Sequence, residues 1–111
     1  MGRKKMKYQL IAILLFLSHF SSAQSLVINE VQASNKLGIV DEDNDNVDWI
    51  EIYNAGTDVV SLLGLAISDD STQLLKWILP NRTLAPGEFI LVFASGKDRK
   101  MGFYLHSNFT L

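Results

Sequence analysis

The sequence predicts an all-β sandwich or barrel, and three observations predict it. Beyond residue 23 the apolar residues fall into short segments rich in Val, Ile, Leu and Phe. Clusters of Asn, Asp, Ser, Gly and Pro separate these segments at intervals of about eight to twelve residues. No stretch beyond residue 23 repeats its apolar residues at the helical period of about 3.6.

Each element follows from its residues. Ser25-Leu-Val-Ile-Asn-Glu-Val31 is rich in β-branched residues and reads as a strand. Residues 33–46 lack periodicity and end polar, so they form a long loop. Residues 49–53 alternate: Ile50 and Ile52 point one way, while Trp49, Glu51 and Tyr53 point the other. The isoleucines are the core candidates, and the aromatics cover a second, partly exposed face. Asn54-Ala-Gly56 closes the strand, because Asn and Gly tolerate positive φ. Residues 59–62 and 65–67 are two more short strands parted at Gly64. A turn cluster at 69–72 precedes a strand predicted over 74–79, which Pro80-Asn81 ends. Ala85-Pro-Gly-Glu88 is a turn with Pro at its second position. Phe89-Ile-Leu-Val-Phe-Ala94 is apolar on both faces, as a central strand is. Residues 95–102 form a polar, basic loop, and a further extended segment begins at Phe103.

A chain of 111 residues holds one domain at most, and its 48% hydrophobic content supports a packed core. Charge is uneven. Arg3, Lys4, Lys5 and Lys7 stand at the start, which leaves six basic against twelve acidic residues in the rest. An acidic domain repels phosphate backbones, so no nucleic-acid partner is expected. With no cysteine, disulfides, zinc-thiolate sites, thiol catalysis and a lipid-anchored terminus are excluded.

Residues 1–23 read as a secretory signal. Arg3 to Lys7 is the basic n-region, 10–17 is the apolar h-region, and Ser21-Ser-Ala23 carries small residues at −3 and −1 of a cleavage site before Gln24. The apolar run falls short of the roughly 20 residues a membrane span needs. The mature domain, 24–111, is therefore expected to be secreted or displayed at the cell surface, with no stable membrane insertion after cleavage.

Several segments together resemble one family. Val27-Ile-Asn-Glu-Val31, the acidic loop leading into Asp48-Trp-Ile-Glu-Ile-Tyr-Asn54, Gly64-Leu-Ala-Ile-Ser-Asp69, Leu84-Ala-Pro-Gly-Glu88, Phe93-Ala-Ser-Gly-Lys-Asp-Arg99 and Leu105-His-Ser-Asn-Phe109 resemble the lamin tail domain in its bacterial, secreted form. The resemblance spans about 26–111. It implies an immunoglobulin-like β-sandwich, with no catalytic residues to carry over. Members of the family continue past the Leu-His-Ser-Asn-Phe segment into further strands, so the resemblance implies a sandwich whose last strands are missing here.

The chemistry concentrates in Asp41-Glu-Asp-Asn-Asp-Asn-Val-Asp48, which runs straight into a strand. Five carboxylates lie within it, with no lysine or arginine between them. Asp41, Asp43 and Asp45 have the alternate spacing that opens calcium loops, and Asp48 follows. The match then fails, because Asn46 replaces the loop glycine and Ile52 stands where a glutamate closes such a loop. A solvated acidic loop that caps the strand is the preferred reading. Calcium on Asp41, Asp43, Asp45 and Asp48 is the alternative, and no other cofactor is expected. Such a loop without a counter-ion should be strained or mobile.

Other candidates have plainer explanations. Lys97-Asp-Arg-Lys100 suits an anion or glycan contact, but more often such a run is the polar tip of a connection. Trp49, Tyr53 and Trp77 suit a sugar platform, but partly buried packing is the preferred reading. Asn81-Arg-Thr83 and Asn108-Phe-Thr110 fit the glycosylation sequon. Catalysis finds little support. His106 is the one histidine after the leader, no serine sits in a nucleophile elbow, and a turn explains Asp69-Asp70.

The expected function is thus a non-catalytic sandwich module of an exported bacterial protein. It would mediate adhesion or surface interaction with a protein or glycan, or position further domains of the same polypeptide. The alternative is an accessory domain of a larger extracellular hydrolase, a nuclease or phosphatase, whose catalytic part lies beyond residue 111.

Overall fold

A computed structural model describes residues 25–111; the predicted signal over 1–23 and its cleavage point lie outside the described residues. Eight strands follow in order: β1 (Leu26–Gln32), β2 (Asp48–Asn54), β3 (Val60–Ser61), β4 (Ala66–Ile67), β5 (Trp77–Ile78), β6 (Thr83–Leu84), β7 (Phe89–Ala94) and β8 (Leu105–His106). Among the described residues there is no helix, and the expected all-β sandwich is the architecture observed.

One sheet has the order β1-β2-β7-β8. Ile50 and Ile52 face the core, paired across the sheet with Val92 and Ile90. On the other side of β2, Ile52 and Ile50 oppose Ile28 and Val31. Those two residues are three apart and would face opposite ways in a regular strand. The register shift between Ile28 and Glu30 inserts one extra residue, which turns Val31 back to the core. The core's other half comes from two short ladders, β3 with β6 and β4 with β5. They bring Val60, Leu62, Leu65, Ile67, Trp77 and Leu84 into one buried cluster with the isoleucines.

Asn54 joins the two layers. It is fully buried, and its Nδ2 donates to the carbonyls of Asp58 (2.8 Å) and Leu84 (2.9 Å) while its Oδ1 accepts from Gly56 N (2.9 Å). Read from sequence as a turn residue, it is also the clamp between β2 and β6.

Three expectations change. The strand predicted over 74–79 shrinks to Trp77–Ile78. Asp70 Oδ1 accepts from both the N–H and the hydroxyl of Thr72, and Gln73 N bonds Asp70 O, so a turn network consumes the first half. Leu75 is accordingly 66% exposed. Thr83–Leu84, unassigned in sequence, pairs with β3, because Leu62 N donates to Arg82 O (2.7 Å) and carries that ladder onward. Finally, Trp49 is 6% exposed rather than part of a partly exposed face.

The connection after β7 positions the site. Residues 95–104 carry the chain back so that β8 runs parallel to β7, with Val92 opposite Leu105 and Phe93 opposite His106. Arg99 then bridges His106 from the far side. The core takes Leu105, and period-two alternation turns His106 onto the outer face beside Phe93.

Candidate functional site

The long loop between β1 and β2 has its own internal frame. Asn35 is buried and bonds the carbonyls of Ile39 (2.6 Å) and Val47 (3.0 Å), while its Oδ1 accepts from Gly38 N (2.9 Å). A Cβ at residue 38 would lie 2.6 Å from that oxygen, so any other residue there would have to displace the Asn35 amide. Asp48 Oδ1 accepts from Asn35 N (2.9 Å), which ties the start of the loop to the start of β2.

Asp41 is the hub of the acidic segment. Its side chain is 0% exposed. Oδ1 accepts from the N–H groups of Asp43 (3.0 Å) and Asp45 (2.9 Å), a local turn that holds three alternate carboxylates together. Asp41, Asp43 and Asp45 each offer an oxygen within 4.8 Å of the others. A cation of the chain itself sits among them. Lys97 Nζ donates to Asp41 Oδ2 (2.5 Å), Asp43 Oδ2 (2.8 Å) and Asp45 Oδ2 (2.9 Å). Asp48 is not part of this group, being engaged with Asn35.

A second cluster adjoins the first. Arg99 Nη1 bonds Glu42 Oε1 (2.7 Å) and lies 2.9 Å from Asp43 Oδ2. His106 is fully buried, with Nε2 at 2.8 Å from Glu42 Oε2 and Nδ1 at 2.7 Å from Ser95 Oγ. A carboxylate only accepts, so Nε2 donates to Glu42; in the neutral ring Nδ1 then accepts the Ser95 hydroxyl proton. Ser95, His106 and Glu42 are the residue types of a hydrolase relay. Here the imidazole is sealed, stacked on Phe93 at 5.3 Å, and its two bonds tie the end of β7 and β8 to the acidic loop.

The electrostatics follow from this geometry. Burial pushes the Asp41 carboxyl up, but the Lys97 ammonium and the Asp45 and Asp43 N–H groups outweigh it and hold it below its ordinary value. Glu42 is held low in the same way, with burial opposed by His106 and Arg99. Asp43 is lowered by Lys97 first and then, against burial, by Arg99. Burial draws Lys97 down, and its three carboxylates more than reverse this.

The sign of the pH dependence is fixed by these shifts. Folded-state values below the unfolded ones mean that the carboxylates stabilise the fold above the ordinary range of about 4 and that this contribution is lost as pH falls through the folded values. Urea unfolding is expected to show a constant midpoint from neutrality down to mildly acidic pH and a progressive fall below it. A midpoint unchanged well below pH 4 would contradict this account.

Lys97 Nζ already stands where Asp41, Asp43 and Asp45 converge, so calcium there competes with the lysine. Calorimetric titration with millimolar calcium is expected to give no saturable heat, because Lys97 already supplies a counter-charge to the three carboxylates. Saturable heat that disappears in Asp43→Asn/Asp45→Asn would place calcium in the loop and overturn this expectation.

The remaining candidates are scattered. Trp77 lies in the core, where its Nε1 donates to Asp98 (2.9 Å) and Lys100 stands over its ring, so it shares no surface with Trp49 and Tyr53. Lys97 and Arg99 are turned onto the acidic loop. Asn81 is exposed, and Asn108 bonds the Lys76 carbonyl. Asp69 pairs with Lys76, and Asp70 builds its turn, so the two carboxylates do not act together. Sequence reasoning missed Lys97, Ser95 and His106 as partners of the loop, and Asn35 as its frame.

A family model described as Lamin Tail Domain matches residues 19–111, and the chain belongs to that family, an immunoglobulin-like module. No curated protein and no solved structure matches it.

Proposed function

We propose that this lamin tail domain is a non-catalytic module of an exported protein, one that mediates surface interaction or positions neighbouring domains. One observation carries the reading. The groups able to do acid–base or nucleophilic chemistry are spent on holding loops together, with His106 fully buried between Glu42, Ser95 and Phe93. A general base must reach the proton it removes, and a sealed imidazole does not.

The test attaches the full sequence to a secreted reporter enzyme in a bacterial host. The reporter is expected in the cell-surface fraction, and the same reporter with the leader alone is expected in the medium. Equal release of both would sink surface interaction and leave the positioning of neighbouring domains. N-terminal sequencing of the exported chain is expected to begin at Gln24, as the Ser21-Ser-Ala23 cleavage site predicts. An intact Met1 terminus in the membrane fraction would refute the cleavage.

A further inference from the structure

We propose that the mature chain carries its first residue, Gln24, as a lactam closed by its own side chain, and so presents no free α-amine. The proposal rests on the cleavage read at Ser21-Ser-Ala23, which makes Gln24 the new terminus. The step is balanced within one residue. The α-amine nitrogen attacks Cδ of the side-chain amide, the N–Cδ bond forms and the Cδ–Nε2 bond breaks. Nε2 leaves as ammonia with the proton that the amine gives up. The ring has five members and little strain, whereas asparagine, one methylene shorter, would have to close a strained ring of four. Because both groups belong to one residue, the reaction avoids the encounter entropy that slows amide exchange between separate molecules. Free α-amines titrate at about 8, so about a tenth of them are neutral and nucleophilic at pH 7.

The structure sets what this end is attached to. Residue 24 lies just outside the described residues, and anchored backbone begins at the next one. Ser25 O accepts from Ala55 N (2.7 Å). A Cβ at residue 56 would come within 2.5 Å of the Ser25 Cβ, so Ser25 packs on the turn that follows β2. Leu26 opens β1, pairs with Asn54 and is 5% exposed in the core cluster. The cleavage point is therefore one residue from anchored chain and two from the core. The described bond of Ser25 engages its carbonyl, whereas the ring uses the amine and side chain of residue 24, so the anchoring does not consume the reacting groups.

Two consequences follow for an exported domain. Chain ends are where proteolysis concentrates. An aminopeptidase that grips a free amine would meet Gln24, then Ser25 with its bond to Ala55, then Leu26 of the core. The lactam removes the group such an enzyme needs before it reaches β1. Charge changes as well. Residues 24–111 carry six basic against twelve acidic side chains, and a free terminal amine would offset one of the excess carboxylates below about pH 8. The lactam does not, so the closed chain is more acidic by one charge.

The test uses the full sequence, exported from a bacterial host and held for several days at about pH 8, where roughly half of free α-amines are nucleophilic. Tryptic digestion releases 24–36 as the first peptide, because Lys36 is the first basic residue after the cleavage point. Fragmentation mass spectrometry is expected to read residue 24 first and to find this peptide lighter by one ammonia. Stepwise N-terminal degradation of the undigested chain needs a free amine. It is expected to give no sequence until pyroglutamyl aminopeptidase has removed residue 24, and then to read Ser-Leu-Val-Ile. The undigested measurement excludes ring closure during digestion. The Gln24→Ala variant, cleaved at the same bond, is expected to be read without that treatment and to focus at higher pH than the closed parent. An open glutamine at residue 24, read directly by degradation, would overturn the lactam and leave the cleavage standing. A first peptide that begins anywhere but residue 24 would overturn both.

Discussion

Replacing Lys97 with methionine is expected to lower the unfolding free energy by about 2–4 kcal/mol. The range sits between the near-zero value of an exposed ion pair and the roughly 3–5 kcal/mol lost when one partner of a buried pair is removed. Both limits apply. Asp41 is buried, so its charge would be left with little solvent, whereas Asp43 and Asp45 are open to water and contribute little. Most of the loss therefore belongs to Asp41, and this is testable. In Lys97→Met/Asp41→Asn the asparagine oxygen still accepts from Asp43 and Asp45, so the turn survives while the stranded charge is gone. That double variant is expected to be more stable than Lys97→Met alone, by denaturant unfolding of all four members of the cycle. A Lys97→Met midpoint equal to the parent's would show that the cluster contributes nothing to the fold.

The same lysine marks the limit of what sequence makes legible. The acidic loop has no lysine or arginine of its own, so it reads as unbalanced. Its counter-ion is supplied from 52 to 56 residues away. That pairing is a consequence of topology: residues 95–104 must fold back to set β8 parallel to β7 before Lys97 and Arg99 face the loop. Periodicity reports which face a side chain takes, not which distant segment will cover that face. A basic turn in a chain whose remainder is otherwise acidic was the available hint.

Where burial alone decides, the sequence is sufficient. The parity of Ile50 and Ile52 against Trp49 and Tyr53 is the parity observed, and β1, β2 and β7 lie close to their expected bounds. These strands have six or seven residues, long enough for alternation to register. β5 and β6 have two each, and two residues carry no period. Trp49 was assigned to the correct face, yet alternation along one strand does not say that this face is covered there.

The second large effect belongs to His106. Truncation to alanine removes a fully buried ring that stacks on Phe93 and leaves Ser95 without its ring partner. Large-to-alanine changes at buried aromatic positions cost about 3–5 kcal/mol, and His106→Ala is expected within that range. His106→Phe separates the contributions. It keeps a ring against Phe93 and gives up both hydrogen bonds, so the expected loss is about 1–2 kcal/mol. Glu42 retains Arg99 and some solvent in either variant, which limits the polar share. Equal losses in the two variants would mean that the polar bonds, not the packing, hold β8 in place. The loop supplies an independent readout. The Asp43 and Asp45 amides are held by Asp41, and Asp41 by Lys97, so their hydrogen exchange reports the first cluster and not the second. Arg99 joins the clusters by touching both Glu42 and Asp43. If that bridge couples them, exchange at Asp43 and Asp45 accelerates in His106→Ala as well as in Lys97→Met, and the double variant loses less than the two single losses combined. Full additivity would show that the loop is held by two independent pins.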